Sequence, residues 1–410
     1  MDDCNGHSMA DRIEPLLKYH PFTRLNALLE GIKPGGPVMA LSVGEPQGQP
    51  PAFVAEVLER EKKDWSRYPL TAGSPEFRSA VIDWLNRRFH LPANLVDRDQ
   101  DILPAAGSKE ALFHAALACV PEWDGSGPRP AVVMPNPFYH VYAGSAAVAG
   151  AEPLFLPANR QNGFLPEPDL IPAKDLARVA MAYVCSPSNP QGAVASRDYL
   201  ARWLKHARQH DYTLVVDECY AEIYRGEPPT GVLEVAEGKL DNLLSIHSLS
   251  KRSSAPGLRS GFVTGERRLI KRMVQICNYG GAAISFPALA ASAALWRDEA
   301  HVERNRERYR SCFAIAERIL GNRLGFFPPR GGFFLWLDVG DGEAAAKKLW
   351  TEAGIKVLPG GYMARPDANG VNPGQPYIRV ALVHEPAEVE AALTRLVEVL
   401  APSSAAAAAQ

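Results

Sequence analysis

Long apolar runs are missing from this 410-residue chain. None approaches the ~20 consecutive apolar residues that a helix needs to cross a bilayer, which argues against a membrane partner. Charge of one sign is missing too. The 44 Lys and Arg nearly balance 46 Asp and Glu, and the net charge of −2 leaves no basic footprint for nucleic acid or an anionic membrane. Cysteine is scarce. Cys4, Cys119, Cys185, Cys219, Cys277 and Cys312 are scattered without CxxC spacing, as expected of free thiols in a reducing compartment rather than of disulfides or a zinc site. The start, MDDCNGHSMADR, lacks the basic and then apolar order of a secretory signal, so a cytoplasmic protein is expected. No GxGxxG follows an apolar run, which argues against a nicotinamide dehydrogenase. These absences together favour a small soluble substrate.

What is present is an apolar fraction of 46% on a chain longer than one hydrophobic core usually serves, so two domains are expected. Short apolar segments at 131–134, 178–185, 213–216, 243–247 and 261–265 alternate with helical stretches, the pattern of a mainly parallel sheet covered by helices. RDYLARWLKHARQH (197–210) carries Leu200, Trp203, Leu204 and Ala207 at helical spacing. From about residue 300 a long charged helix leads into the alternating GGFFLWLDV, which reads as a strand of a separate sheet. The terminal helix at 386–401 has Val389, Ala392, Leu393, Leu396, Val399 and Leu400 on its apolar side. The expected organisation is an N-terminal segment at 11–46 joining the small domain, a large domain at 47–295, a small one at 296–402, and disordered tails at 1–10 and 403–410.

Four strands run into PNPFY, SPSNPQG, DECY and SLSK. Ligands of open α/β sheets bind outside the carboxyl ends of the strands, so these segments converge on one candidate site. In SLSKRSSAPGLRSG (248–261), Lys251 taken alone is a solvated charge. A partly desolvated lysine can, however, form an imine with a carbonyl cofactor, and Ser248, Ser250 and Arg259 offer donors for a phosphate dianion. AAGSKEALFHAALACV (105–120) is a glycine turn opening a helix, whose first amides suit an anion. Asp217 ends a strand and could simply cap the next helix. Arg379 stands in the apolar strand QPYIRVALV, and a buried guanidinium needs a compensating anion, either an internal partner or a ligand. His206 and His210 are four apart but have no third ligand nearby, so no metal is expected.

These motifs resemble the class I and II aminotransferases, pyridoxal 5'-phosphate (PLP) enzymes of fold type I, along most of the chain. The resemblance implies an α/β fold with a seven-stranded, mainly parallel sheet between helices plus a smaller α/β domain. It implies PLP held as a Schiff base on Lys251, which also shuttles the proton. Asp217 would meet the pyridine nitrogen, Tyr220 and Asn189 the phenolic oxygen, and Tyr139 the ring face. Gly107, Ser108, Lys109, Ser248, Ser250 and Arg259 would hold the phosphate, joined by Tyr68 of the partner subunit in a homodimer. Arg379 and Gly44, with Asn189, would take the substrate α-carboxylate. Ser260 departs from the family, which usually has an apolar residue there.

DRIEPLLKYHPFTRLNALL, LSVGEPQGQPPAF and ARPDANGVNPGQPYIRVALV are similar to the succinyldiaminopimelate aminotransferase branch of bacterial lysine synthesis, whose partner substrates are glutamate and 2-oxoglutarate. An extended acidic substrate then needs a further cation, for which Arg24 and Arg365 are both candidates. A general alanine, aspartate or aromatic aminotransferase and a PLP-dependent C–S lyase share the cofactor motifs. A transcription regulator built on the same domain would need a helix-turn-helix module ahead of it.

Overall fold

The computed structural model describes residues 11, 13, 14 and 20–401; the tails expected at 1–10 and 403–410 lie outside the described residues. Twelve strands are formed among them: β1 Met39–Ala40, β2 Ile102–Ala105, β3 Ala131–Asn136, β4 Glu152–Pro157, β5 Val179–Cys185, β6 Thr213–Asp217, β7 Leu243–Ser248, β8 Gly261–Gly265, β9 Phe334–Asp338, β10 Ile355–Lys356, β11 Leu358–Pro359 and β12 Tyr377–Ala381. Seven make one sheet in the order β2-β8-β7-β6-β5-β3-β4. β8 runs antiparallel to both its neighbours, and the strands from β7 across to β4 are parallel, so the expected mainly parallel sheet is what forms.

Five of these strands coincide with the segments read from the sequence; β2 and β4 do not. Both contain proline, Pro104 in β2 and Pro153 and Pro157 in β4. Proline cannot donate to a ladder, and it is tolerated here because these are the two edge strands of the sheet. After β4 the chain crosses back over β3 to lay down β5 on its other side. Winding therefore reverses at β3, and a crevice opens at the carboxyl ends of the strands.

Helices cover both faces because their apolar stripes have nowhere else to go. Arg197–Gln209 is capped by Ser196, whose hydroxyl accepts from Tyr199 N at 3.2 Å, and it buries Tyr199, Leu200, Trp203, Leu204 and Ala207 as its spacing predicts. Truncating Trp203, buried in this core, would cost roughly 3–5 kcal/mol.

A separate antiparallel sheet, β11-β12-β9, carries the expected strand at 334–338 and packs on Ala300–Leu320 and Pro386–Leu400. The last helix buries Val397 with Val389, Ala392, Leu393 and Leu396, and leaves Val399 and Leu400 only half-buried. The core of this smaller layer includes Cys219, Tyr220 and Ile223 from the loop after β6, so the two sheets meet directly at the crevice. Pro21–Leu29 packs through Leu25 and Leu29 on Leu358, Tyr362 and Met363, and β1 pairs with β10. The N-terminal segment is thereby fastened across the same opening. Among the described residues no helix is long and apolar enough to cross a membrane.

Candidate active site

Between the sheets lies a cavity of about 410 Å³, lined by Lys251, Asp217, Asn189, Tyr139, Tyr220 and Arg379 with Gly44, Ser108 and Lys109. These residues come from strand ends and loops separated by up to most of the chain. The topology, not sequence proximity, gathers them.

Lys251 sits on the short helix Leu249–Arg252 that begins where β7 ends. Ser248 caps that helix, its hydroxyl accepting from Ser250 N at 3.1 Å and donating to Ser250 Oγ at 3.0 Å. The same hydroxyl thereby braces the turn that presents Lys251. The Lys251 amine donates to Gly44 O and lies 5.5 Å from the centre of the Phe333 ring. Burial pushes its pKa down to about 8, and the charges of Arg379 and Arg259 push the same way. A lysine so placed has an uncharged, nucleophilic amine within reach of neutral pH.

Asp217 is fully enclosed at the end of β6. Burial raises its pKa, while the Cys219 side chain, the Tyr142 hydroxyl at 2.9 Å and Cys219 N at 3.2 Å oppose the rise, with His247 acting in the same sense. Tyr142 was not among the residues singled out from the sequence. It follows Tyr139 by three positions at the start of His140–Val148, a spacing that sets the two rings 5.7 Å apart on one side of a helical turn. That spacing was the available signal. Tyr139 lines the cavity, whereas Phe138 also packs on Phe155 behind it, with ring centres 5.0 Å apart. Tyr220 packs edge-on against Phe333 and Phe334.

The glycine turn is built as the sequence leads one to expect. Gly107 has φ +85°, a backbone conformation that favours glycine, and a Cβ there would come within 2.6 Å of the Arg259 guanidinium and push it aside. No side chain caps the helix Ser108–Cys119 after it, which leaves the first amides of that helix to face an anion. Arg259 is held by Ala106 O at 2.6 Å and Pro256 O at 2.8 Å beside this turn. Ser260, the departure from the family pattern, is fully buried and accepts from Ser292 Oγ at 2.8 Å, so its hydroxyl is satisfied.

Arg379 answers the puzzle of its apolar strand. Its Nη1 donates to Asn189 Oδ1 at 2.9 Å, its Nη2 to Ser42 O at 2.7 Å, and its guanidinium lies 4.2 Å from the centre of the Phe334 ring. No carboxylate pairs with it in these contacts, and Nε is buried without a partner among the described residues. Burial lowers its pKa to about 10, which still leaves it charged. A fixed cation with neutral neighbours is a receptor for a carboxylate. Gly44 passes the Phe334 ring so closely that a Cβ would come within 2.5 Å of it.

The N-terminal segment adds His20, which lines the cavity with its ring 5.0 Å from that of His140. Tyr68 is 100% exposed and contributes nothing to the cavity of its own chain. His206 hydrogen-bonds the Tyr212 hydroxyl at 3.0 Å, and no cluster able to hold a metal ion occurs among the described residues.

A lysine amine primed at a strand end, a carboxylate at the next strand end and an anion cradle at a helix start fit PLP, and together with the sheet order they define a fold-type I PLP enzyme. The chain belongs to the class I and II aminotransferase family, which it matches over residues 36–396, and it is a PLP-dependent aminotransferase. It is 32% identical to the LL-diaminopimelate aminotransferase of Desulforudis audaxviator over 94% of this chain and 96% of that protein. It is 33% identical to the 4-dedimethylamino-4-oxo-anhydrotetracycline transaminase OxyQ of Streptomyces rimosus, over 87% and 92%. The crystal structure of an aminotransferase from Neisseria meningitidis is similar at a TM-score of 0.87 and 38% identity, covering 94% of this chain and 99% of that one.

Proposed function

We propose that this aminotransferase acts on the diaminopimelate series, with N-succinyl-L-2,6-diaminopimelate and the glutamate/2-oxoglutarate pair as its substrates. The carrying observation is the space beyond the catalytic groups. The inner cavity adjoins a second chamber of about 680 Å³, with which it shares His20, Lys109 and His140. Such room is superfluous for alanine and suits a long substrate. The loop sequences similar to the succinyldiaminopimelate branch and the diaminopimelate aminotransferases among its relatives favour the same series.

Pyridoxal phosphate, when bound, supplies the electron sink that acidifies the substrate Cα–H. In this reading Lys251 is its covalent anchor and, once released, the base that takes the Cα proton and returns it. Asp217 would hold the pyridine nitrogen protonated, Asn189 and Tyr220 would serve the phenolic oxygen, and Tyr139 would lie against the ring. Ser108, Lys109 and Gly107 would offer backbone amides to the phosphate, with Ser248, Ser250 and Arg259 beside them. Arg379, oriented by Asn189 and Ser42, takes the α-carboxylate next to Gly44. Tyr68 reaches the phosphate site of the partner in a homodimer; its full exposure, near the exposed Trp65 and Leu70, supports that role.

Turnover of N-succinyl-diaminopimelate, LL-diaminopimelate, alanine, aspartate and phenylalanine with 2-oxoglutarate tests the reading. A kcat/KM for the succinylated substrate above all others is expected; equal rates across the panel would leave a general aminotransferase.

A further inference from the structure

Lys251 is held from two sides. Ahead of it, β7 and the Ser248 cap fix the start of its four-residue helix. A helix that short cannot hold itself, and the carbonyls of Lys251 and Arg252 lie at its end with no further turn to donate to them. The donor comes instead from Ala300–Leu320, the long helix that packs on the antiparallel sheet. Asn305 Nδ2 donates to Lys251 O at 3.0 Å and to Arg252 O at 3.2 Å, and Asn305 Oδ1 accepts from Ser254 Oγ at 3.1 Å. One amide thus uses both its donor and its acceptor on the segment that follows the lysine.

One turn earlier on the same helix, His301 Nε2 lies 2.8 Å from Ser253 Oγ and His301 Nδ1 lies 2.6 Å from Asp298 Oδ2. Burial pushes the His301 pKa down to about 4, which fits a neutral ring that donates to Asp298 and accepts from Ser253. Serine, histidine and aspartate stand here in the order of a hydrolytic triad. Ser253, however, is 1% exposed and lines neither chamber, so the three latch a loop and meet no substrate. Arg252 fastens the same segment again, donating to Leu295 O at 2.7 Å and to Glu299 at 2.8 Å. The long helix also reaches the other functional elements. Arg306 donates to Glu222 O at 3.1 Å in the loop beyond Asp217, and Arg308 to Val383 O at 3.0 Å beyond the strand that carries Arg379.

We infer that Asn305 is a positioning residue for Lys251: by holding the carbonyls of Lys251 and Arg252 it keeps the lysine amine at its place in the cavity beside Gly44 O, and it ties that place to the helix supporting the antiparallel sheet. The inference rests on the proposed role of Lys251 as the cofactor's anchor. It does not depend on which amino acid is the substrate.

Asn305→Ala tests it with two readouts. In cofactor-free protein the released amine moves toward water, so the rate of PLP capture should level off about half to one pH unit higher than in wild type. The charged and titratable groups facing the amine, Arg379, Arg259, Cys219 and Glu45, are the same in both proteins, so the shift reports where the amine sits. In PLP-loaded protein kcat should fall roughly ten- to hundredfold, while KM for the best amino-acid substrate stays within about twofold because Arg379 is untouched. Asn305→Asp keeps the acceptor for Ser254 but removes the donor from both carbonyls, and should be no faster than Asn305→Ala. Ser254→Ala leaves that donor in place and frees the other end of the amide, so a smaller shift in the same direction is expected. Glu307→Gln, which alters only an exposed pair with Arg310 on the same helix, should match wild type in every readout. A variant that merely loosened the fold would melt earlier and keep the wild-type plateau. The inference is overturned if Asn305→Ala keeps that plateau, if its loss appears in KM rather than kcat, or if Glu307→Gln shifts as far. Should Asn305→Ala fail to fold, the plateau of Ser254→Ala decides, and an unmoved one overturns the inference. Borohydride labelling separates the two levels: a label away from Lys251 would defeat the anchor reading, whereas a label on Lys251 with an unmoved plateau would defeat only the role of Asn305.

Discussion

The two walls of the inner cavity treat their charges differently. On the large-sheet wall, Lys251 and Asp217 are both shifted toward their neutral forms, the lysine down to about 8 and the aspartate upward, in each case chiefly by burial. On the small-sheet wall, Arg379 is also shifted by burial, but only to about 10, and two hydrogen bonds and an aromatic face hold it in one place. One wall carries a lysine whose proton can move near neutral pH beside a carboxylate that burial pushes upward, the other a cation that keeps its charge there. Desolvation alone does not distinguish a catalytic group from a binding group. The starting pKa of the side chain does, because the same displacement makes a lysine titratable and leaves an arginine charged.

The strongest way to break that division is to remove the movable proton. Lys251→Ala should lower kcat by about 10⁴-fold or more, since it takes away both the base and the covalent anchor. Borohydride treatment of the wild type should fix the cofactor on the peptide containing Lys251, as read by mass spectrometry; a label on any other lysine would end the assignment. Arg379→Ala should act differently. Losing a buried, hydrogen-bonded charge that binds an anion costs about 3–5 kcal/mol, so kcat/KM for the amino acid should fall roughly 10²–10⁴-fold while cofactor absorbance persists. Cofactor loss with unchanged substrate affinity would reverse the roles of the two walls.

A smaller effect tests the movable charge itself. Only the neutral amine attacks an aldehyde, so cofactor-free protein should capture added PLP faster as pH rises through the pKa of Lys251. With that pKa at about 8, the capture rate should climb roughly tenfold from pH 7 to 9 and then level off. An ordinary exposed lysine would still be climbing at pH 10. Stopped-flow absorbance measures the curve, and a rate without a plateau below pH 10 would mean that the amine is not desolvated as described.

Much of this division was legible in the sequence because it rests on local contrasts. Arg379 is a cation inside an apolar strand, Asp217 ends one, and Lys251 follows another. What could not be read locally depends on long-range placement. Pro104, Pro153 and Pro157 hid two strands because only the complete sheet shows that these strands lie at its edges.

Tyr142 gives the finest test of the large-sheet wall. Its hydroxyl donates to Asp217 Oδ2 inside a fully buried site and so favours the charged carboxylate against the burial that raises its pKa. Tyr142→Phe removes that donor and nothing from Arg379. A hydrogen bond to a charged group contributes about 1.5–3 kcal/mol, but Cys219 N continues to support the same carboxylate, so the effect should fall at the low end, a drop in kcat of roughly tenfold. With one donor gone the pKa of Asp217 rises further, and the acid limb of the kcat–pH profile should move to higher pH. Amino-acid affinity, set on the other wall, should not change. A variant that merely loosened the core would lower the melting temperature and leave the limb where it was. If the limb stays fixed while kcat falls, Tyr142 is a packing residue and the tuning of Asp217 lies with Cys219 and His247.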